Sequence, residues 1–403
     1  MQVLLIHQNF PGQFANLSRA LSDHGPVVAL GAGVRPEGRP AGATYRSHSH
    51  RLVAGTPRES HPIETDLRVG RAAERGLREL KASGFSPDLV IAHPAWGETL
   101  FLKDVYPDAA VIAYLEYYYR RSGSDIDFDP EFPAAAPTLR NIRLRNFASV
   151  MAFQEADLSI SATDWQAGTF PPPIRSQLRT LHDGIDTERV APNETASFDL
   201  ESGRVLTRSD EIITFVSRSL EPYRGFHVLM RSLPDLLQRR PTAEVVIVGG
   251  DDVSYGALAG PRTTWRQRLL AEVGDSLDPA RVHFMGRLNY ARYLALLQVS
   301  RVHIYLTYPF VLSWSMLEAM SAGCAVVASD TGPVTEVIAD GENGRLFPFF
   351  DRSRLAEVVE EVLEDGGQRA RLGRAARDTV IDRYDFRTRI LPEYQRAIGD
   401  ITA

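Results

Sequence analysis

Arg218, Glu221 and Arg224 stand in the stretch VSRSLEPYRGFHVL, between the apolar run Ile212–Val216 and a helical pattern that begins near Gly225. Two guanidinium groups at the carboxyl end of a strand can clamp a diphosphate with charge-assisted, bidentate bonds. All but two of the 45 basic residues are arginine, so solvated loop arginines are the competing reading. Their place after the first strand of the second half favours the clamp. The stretch Tyr308 to Asp330, which holds Phe310, Leu312, Ser313, Trp314 and Ser315, runs from an apolar segment through a loop into a helix expected from about Ser315. Backbone N–H groups at a helix start attract phosphate, and Ser313 and Ser315 can cap it and donate to the same anion. Glu318, expected on the first turn, could accept hydrogen bonds from ribose hydroxyls; a favourable first-turn acid is the plainer alternative.

The first half offers a different set. His7 and His93 each end an apolar run, and Glu116 follows a third in YLEYYYRRSG. Trp96, Tyr117, Tyr118 and Tyr119 lie beside them and suit a sugar or a hydrophobic aglycone, with packing beside a sheet as the alternative. Asp125, Asp127 and Asp129 alternate as Asp-x-Asp pairs, a spacing that could hold a divalent ion beside a diphosphate. They lie in a polar loop rather than directly after a buried strand, which favours a loop face, and Asp251-Asp252 are read the same way. No metal is expected: arginines and a helix N-terminus can neutralise a leaving diphosphate.

These residues need strands to carry them. Runs of four to five apolar residues (Val3–Ile6, Val27–Leu30, Leu89–Ala92, Val111–Tyr114, Leu158–Ser161, Ile212–Val216, Val245–Val248, Val282–Met285, Val302–Tyr305, Ala325–Ala328) alternate with amphipathic helices such as Gln13–His24, Leu67–Ala82, Phe226–Arg240 and Leu355–Glu364. Unbroken apolar runs suit strands buried on both faces, and the rhythm is that of α/β architecture with parallel sheets. It breaks at Ala191–Asp210, the linker candidate, and again in the Asp-, Gly- and Pro-rich stretch Arg120–Pro137. The expected organisation is a Rossmann-like domain over 1–191, a linker over 192–210, and a second Rossmann-like domain over 211–385, with a C-terminal helix at about 386–403 packing back on the first domain. Ligands would bind at the strand ends in a cleft between two doubly wound domains.

The 403 residues are 44% hydrophobic and 24% charged, a globular composition with ample core. A net charge of −6 gives no basis for a nucleic-acid partner. One cysteine, Cys324, excludes a disulfide framework. The opening apolar run is too short for a signal peptide, and no run suits a membrane span, so the expected location is cytoplasmic or peripheral at the inner membrane. The arginine bias reads as a GC-rich bacterial genome.

Several ordered segments resemble the retaining glycosyltransferases of family 4, of GT-B fold. They are Ser217-Arg218-Ser219-Leu220 to Arg224-Gly225, Val246-Ile247-Val248-Gly249, His283-Phe284-Met285-Gly286, Leu317-Glu318-Ala319-Met320 to Gly323, Thr335-Glu336-Val337-Ile338 to Asn343-Gly344, and Leu181-His182-Asp183-Gly184-Ile185-Asp186. The resemblance implies a nucleoside-diphosphate-sugar donor, with uridine as the family's commonest base, and an acceptor hydroxyl on a sugar, a lipid-linked carrier or a small natural product. It implies that Arg218 and Arg224 bind the diphosphate, Glu318 the ribose, and the backbone of Gly286, Arg287 and Leu288 the base. Glu221 and the loop Phe310–Ser315 would complete the donor site. Gly12 would let the backbone approach phosphate or acceptor, with His93, Glu116, Trp96 and Tyr117 on the acceptor or sugar side. Three positions depart from the family pattern: Gln13 replaces a second glycine, Glu116 a histidine, and Phe310 the earlier of two glutamates. The rivals are an inverting transferase with His7 as base, a nucleotide-sugar epimerase, and a non-catalytic nucleotide-binding subunit. A dehydrogenase is disfavoured because no Gly-x-Gly-x-x-Gly follows the first strand of either half.

Overall fold

In a computed structural model of the chain, residues 1–32, 42–49 and 61–402 are described. They form two compact units, Met1–Gly184 with Phe386–Ala403, and Ile185–Asp385. The first unit is built on seven strands: β1 (Val3–Ile6), β2 (Val27–Ala32), β3 (Thr44–His48), β4 (Leu89–Ala92), β5 (Ala110–Tyr114), β6 (Leu158–Ser161) and β7 (Leu178–Thr180). Their spatial order is β3-β2-β1-β4-β5-β6-β7, and every pairing is parallel. The order reverses between β1 and β4, where Ile6 pairs with Ala92. His7 and His93 are the next residues of those two strands, and the His93 N–H donates to the Ile6 carbonyl at 2.8 Å. This switch point is where open parallel sheets bind ligands.

The C-terminal helix Leu391–Thr402 lies in the first unit. Its Tyr394 and Ile398, with Phe386 and Ile390, join Phe14, Tyr114 and Leu181 in one buried cluster. Arg179 donates to Glu393 at 2.6 Å from outside that cluster.

The second unit carries β8 (Ser197–Asp199), β9 (Val205–Thr207), β10 (Ile212–Ser219), β11 (Glu244–Gly250), β12 (Val282–Phe284), β13 (Val302–Tyr305), β14 (Ala325–Ser329) and β15 (Arg345–Phe347). Six of these form a parallel sheet in the order β12-β11-β10-β13-β14-β15, whose switch point lies between β10 and β13. Gly225 begins the following helix, Phe226–Arg239, at φ +68°, and a Cβ there would come within 2.3 Å of Leu306. A glycine is required both by the left-handed backbone and by the close approach to the β13 loop.

The expected linker is not one. Residues 197–207 fold as an antiparallel hairpin of β8 and β9, and Phe198, Leu200 and Leu206 are buried with Ile212, Val246 and Leu296 of the second unit. Phe198 and Leu200 alternate with exposed Ser197, Asp199 and Glu201. That is a strand period, obscured by the polar residues which the alternation places outside.

Candidate active site

In the second unit, Arg218 is the penultimate residue of β10, where the pairing with β11 slips between Val216 and Ser219. The slip turns Arg218 out to solvent, and among the described residues its guanidinium makes no hydrogen bond or ion pair. Arg224 is the opposite case. It is buried, and its Nη1 donates to Thr307 Oγ1 at 2.7 Å, the Val311 carbonyl at 3.1 Å and Tyr305 Oη at 3.4 Å. Its guanidinium lies over the rings of Tyr255 at 5.6 Å and Phe310 at 5.8 Å. One arginine is thus pre-set by the β13 loop and the other is free to close on an anion.

Glu221 does not present a free carboxylate. It is wholly buried and accepts from the backbone N–H groups of Ser254 (3.1 Å), Tyr255 (3.2 Å) and Gly256 (2.9 Å). Burial pushes its carboxyl upward, against those amides and Arg224. Its work is to hold the loop after β11, which brings Tyr255 against Phe310 at 4.9 Å. Phe310 is itself buried, in edge contact with Tyr223 at 5.5 Å, and offers no ligand surface of its own. An apolar side chain between two tyrosines stands where the family pattern has a sugar-binding acid.

The helix after β13 spans Trp314–Ser321, with Ser313 as its cap. Ser313 Oγ accepts from the Ser315 N–H at 3.3 Å and lies 3.0 Å from Ser315 Oγ, while the Ser313 N–H donates to Tyr305 Oη at 3.0 Å. Leu312 packs into the core and Trp314 is 38% exposed. Because the helix starts at Trp314, Glu318 is its fifth residue and not a first-turn acid, which removes the dipole explanation for it. Its two carboxylate oxygens accept from Tyr290 Oη at 2.7 Å and Tyr293 Oη at 2.8 Å. Burial raises its carboxyl, while the two phenols and Arg189 oppose that shift. Arg189 in turn stacks over the Tyr290 ring at 4.3 Å. Nothing in the sequence singles out either tyrosine or Arg189; Tyr290 and Tyr293 share one helix face, a spacing open to many uses.

Gly286 turns the chain after β12 at φ +60°, and its carbonyl accepts from the Gly249 N–H at 2.9 Å. Leu288 packs into the core, whereas Arg287 pairs with Asp252 at 2.5 Å. Asp251 pairs with Arg266 at 2.5 Å. The acids that mimic a metal motif are therefore spent on arginines.

In the first unit the switch point gathers His7, Gln13, His93, Trp96 and Glu116. Gly12, at φ +46°, opens the turn Gly12–Phe14 and lies so close to His7 that a Cβ would stand 2.4 Å from the imidazole. His93 stacks between Trp96 at 4.6 Å and Tyr114 at 5.5 Å. Both of its ring nitrogens are buried without a hydrogen-bond partner, and Nε2 is 3.4 Å from Glu116 Oε2. Burial, then the neighbouring His93, push the His7 imidazole down to about 3. Its Nδ1 accepts from the Asn9 N–H at 3.0 Å and Nε2 meets Gln13 Oε1 at 2.6 Å. Both ring nitrogens of His7 are thus engaged within the unit, Nδ1 by the Asn9 N–H and Nε2 by Gln13. Tyr117 is buried and donates to Asp125 at 2.8 Å, so it belongs to the loop's packing. Asp127 accepts from the Gly123 N–H at 2.9 Å and Asp129 from the Glu131 N–H at 2.9 Å. Among the described residues no group of three or more His, Cys, Asp or Glu is placed to hold a metal ion.

Residues 27–190 match the glycosyl transferase family 4 group, and residues 198–379 match glycosyl transferases group 1. The chain belongs to the group 1 glycosyltransferases of family 4.

This group 1 chain is 33% identical over 184 residues to the phosphatidyl-myo-inositol mannosyltransferase of Mycolicibacterium smegmatis, an alignment covering 44% of this chain and 42% of that one. It is 27% identical over 261 residues to that organism's GDP-mannose-dependent alpha-(1-6)-phosphatidylinositol monomannoside mannosyltransferase, covering 64% and 63% of the two chains. The matches thus span between two fifths and two thirds of these relatives. The fold is that of HepE from Anabaena, solved with UDP and glucose (TM-score 0.72, 17% identity, 99% and 100% of the chains). Sucrose-phosphate synthase from Thermosynechococcus elongatus agrees equally (TM-score 0.72, 17% identity, 99% and 98%). Two Rossmann-like halves of GT-B type are common to this chain and to these structures.

Proposed function

We propose that this protein is a glycosyltransferase that moves a sugar from a nucleoside diphosphate to an acceptor hydroxyl with retention of anomeric configuration and without a metal. The observation that carries the reading is the pair of arginines at the second unit's switch point, one free and one held by Thr307 and the Val311 carbonyl. The acceptor oxygen bonds to the anomeric carbon on the face from which the diphosphate leaves. The carbon–oxygen bond to the diphosphate breaks, Arg218 and Arg224 take up the charge, and the departing oxygen accepts the acceptor proton. Glu318, already aligned by two tyrosines, receives ribose hydroxyls. Trp96, His93 and Glu116 bind the acceptor or the transferred sugar.

The uridine expectation meets a relative whose printed name specifies GDP-mannose, so the donor is tested with both bases. The two relatives are also named for phosphatidyl-myo-inositol and for phosphatidylinositol monomannoside, which suits a peripheral enzyme. Among the described residues no helix is long and apolar enough to cross a membrane. Calorimetric titration with UDP, GDP, UDP-glucose and GDP-mannose, followed by product NMR at the anomeric proton, tests the proposal. Because Phe310 supplies no acid, the free diphosphate should bind within about tenfold, or 1.4 kcal/mol, of the full donor. Binding of a nucleotide with no transfer to inositol, glycoside or lipid acceptors would instead make the chain a binding subunit.

A further inference from the structure

Gln13 lies where the family pattern has a glycine, and its side chain is strung between two titratable groups of the first unit. Its Oε1 is 2.6 Å from His7 Nε2 and its Nε2 is 2.5 Å from Glu116 Oε1. The direction of every bond in this chain is fixed from one end. The Asn9 backbone N–H can only donate, so His7 Nδ1, 3.0 Å away, must accept. A neutral imidazole then carries its proton on Nε2 and donates to Gln13 Oε1. The Gln13 amide in turn donates to Glu116 Oε1. A flipped amide would set an N–H donor against the His7 N–H and an oxygen against a carboxylate. The Glu116 backbone is pinned as well: its carbonyl accepts from Gln166 Nε2 at 2.9 Å, and Gln166 is buried.

We infer that Gln13 is a positioning residue which, by bridging His7 and Glu116, fixes the Glu116 carboxylate at the first unit's switch point, so that Oε2, with His93 Nε2 3.4 Å away, can accept from a hydroxyl of the substrate. This rests on the transferase reading only for the identity of that substrate. The titratable groups facing Glu116 are His7 from β1, His93 from β4 and Tyr114 from β5. Burial by itself would raise the Glu116 carboxyl; contacts led by His93, with Gln13 among them, hold the group below its ordinary range. The Glu116 side chain keeps 27% of its surface, so it is not sealed into the core. The site therefore offers a fixed, charged acceptor beside the Trp96 ring. That combination selects a ring bearing hydroxyl donors over one bearing acidic groups.

The test is a carboxyl carbon-13 titration of the full-length protein with labelled glutamate, no ligand added, and Glu116→Gln as the assignment control. In wild type Glu116 should titrate below the ordinary glutamate range. Gln13→Ala should raise its midpoint toward the ordinary range, with the thermal midpoint recorded alongside. Turnover, where measured, should show the same displacement on the acid limb of kcat/KM. If Gln13→Ala does not fold, Gln13→Glu serves instead: two carboxylates at 2.5 Å share a proton, so one of them should titrate well above the ordinary range. Unchanged Glu116 titration in folded Gln13→Ala, or two ordinary carboxylates in Gln13→Glu, overturns the inference. Because the titration uses no substrate, its outcome is independent of whether the chain proves to be a transferase.

Discussion

Arg218 and Arg224 would serve the same anion but are held in opposite ways, and their variants should separate accordingly. Arg218 is exposed and uncommitted among the described residues, so Arg218→Ala should leave the thermal midpoint near that of wild type while lowering kcat about 10²-fold. Arg224→Ala should lower kcat similarly and also cost about 1–3 kcal/mol of stability. It leaves Thr307 and the Val311 carbonyl without their donor and opens a gap beside Phe310. Steady-state kinetics with urea unfolding on both variants checks this. Equal stability losses would mean that Arg224 is not bound as described. On the proposed reading, the two phenols that donate to Glu318 align its carboxylate for the ribose. Tyr293→Phe should weaken UDP and UDP-glucose equally, since both carry the ribose that Glu318 would meet. A selective loss of the sugar-bearing ligand would move Glu318 to the sugar end.

The elements differ in how far the sequence discloses them. Strands β1 and β4 are unbroken apolar runs, and β10 and β13 mostly apolar ones, because both faces of a parallel sheet are covered, and the sequence shows them directly. The donor-side arginines were legible for the same reason, since a strand end in a doubly wound unit is a defined place. β3 and β7 lie at the sheet edges, and β8 and β9 expose alternate residues, so their apolar content is diluted and the hairpin reads as a linker. The latch from Glu221 to residues 254–256 and the Gln13 bridge were not legible. Both depend on partners about 30 to 100 positions away in sequence, brought together only by strand order. The hairpin's status can be measured. Phe198 is packed with Leu206, Val246 and Leu296, so Phe198→Ala should destabilise the second unit by about 3–5 kcal/mol. A linker residue would cost less than about 0.5 kcal/mol.

Across the whole molecule, buried titratable groups of opposite kind set the pH dependence of stability. His7 in the first unit and His303 in the second are both pushed down to about 3, chiefly by burial. Unfolded, each takes a proton near pH 6.5. Their stabilising contribution is therefore complete above about 6.5 and falls as pH drops toward 3. Asp66 runs the other way. Burial first, and then the neighbouring Glu98 carboxyl, push it up to about 7. Glu98 is itself wholly buried, 3.5 Å from His48. The unfolded chain releases the Asp66 proton near 3.8 while the folded chain keeps it to about 7. The folded state then binds the extra proton, and stability falls as pH rises through that window. One such group changes stability by at most about 1.4 kcal/mol per pH unit. Between about 6.5 and 4 the two histidines therefore lose stability on acidification while Asp66 gains it. Asp66→Asn isolates the opposing arm. The variant should match wild type near pH 4, gain steadily on it up to about pH 7, and hold a constant advantage above that. Urea unfolding at half-unit intervals reads the difference directly. A difference independent of pH would show that Asp66 is ionised throughout in the folded protein, and that Glu98 and burial do not hold its proton.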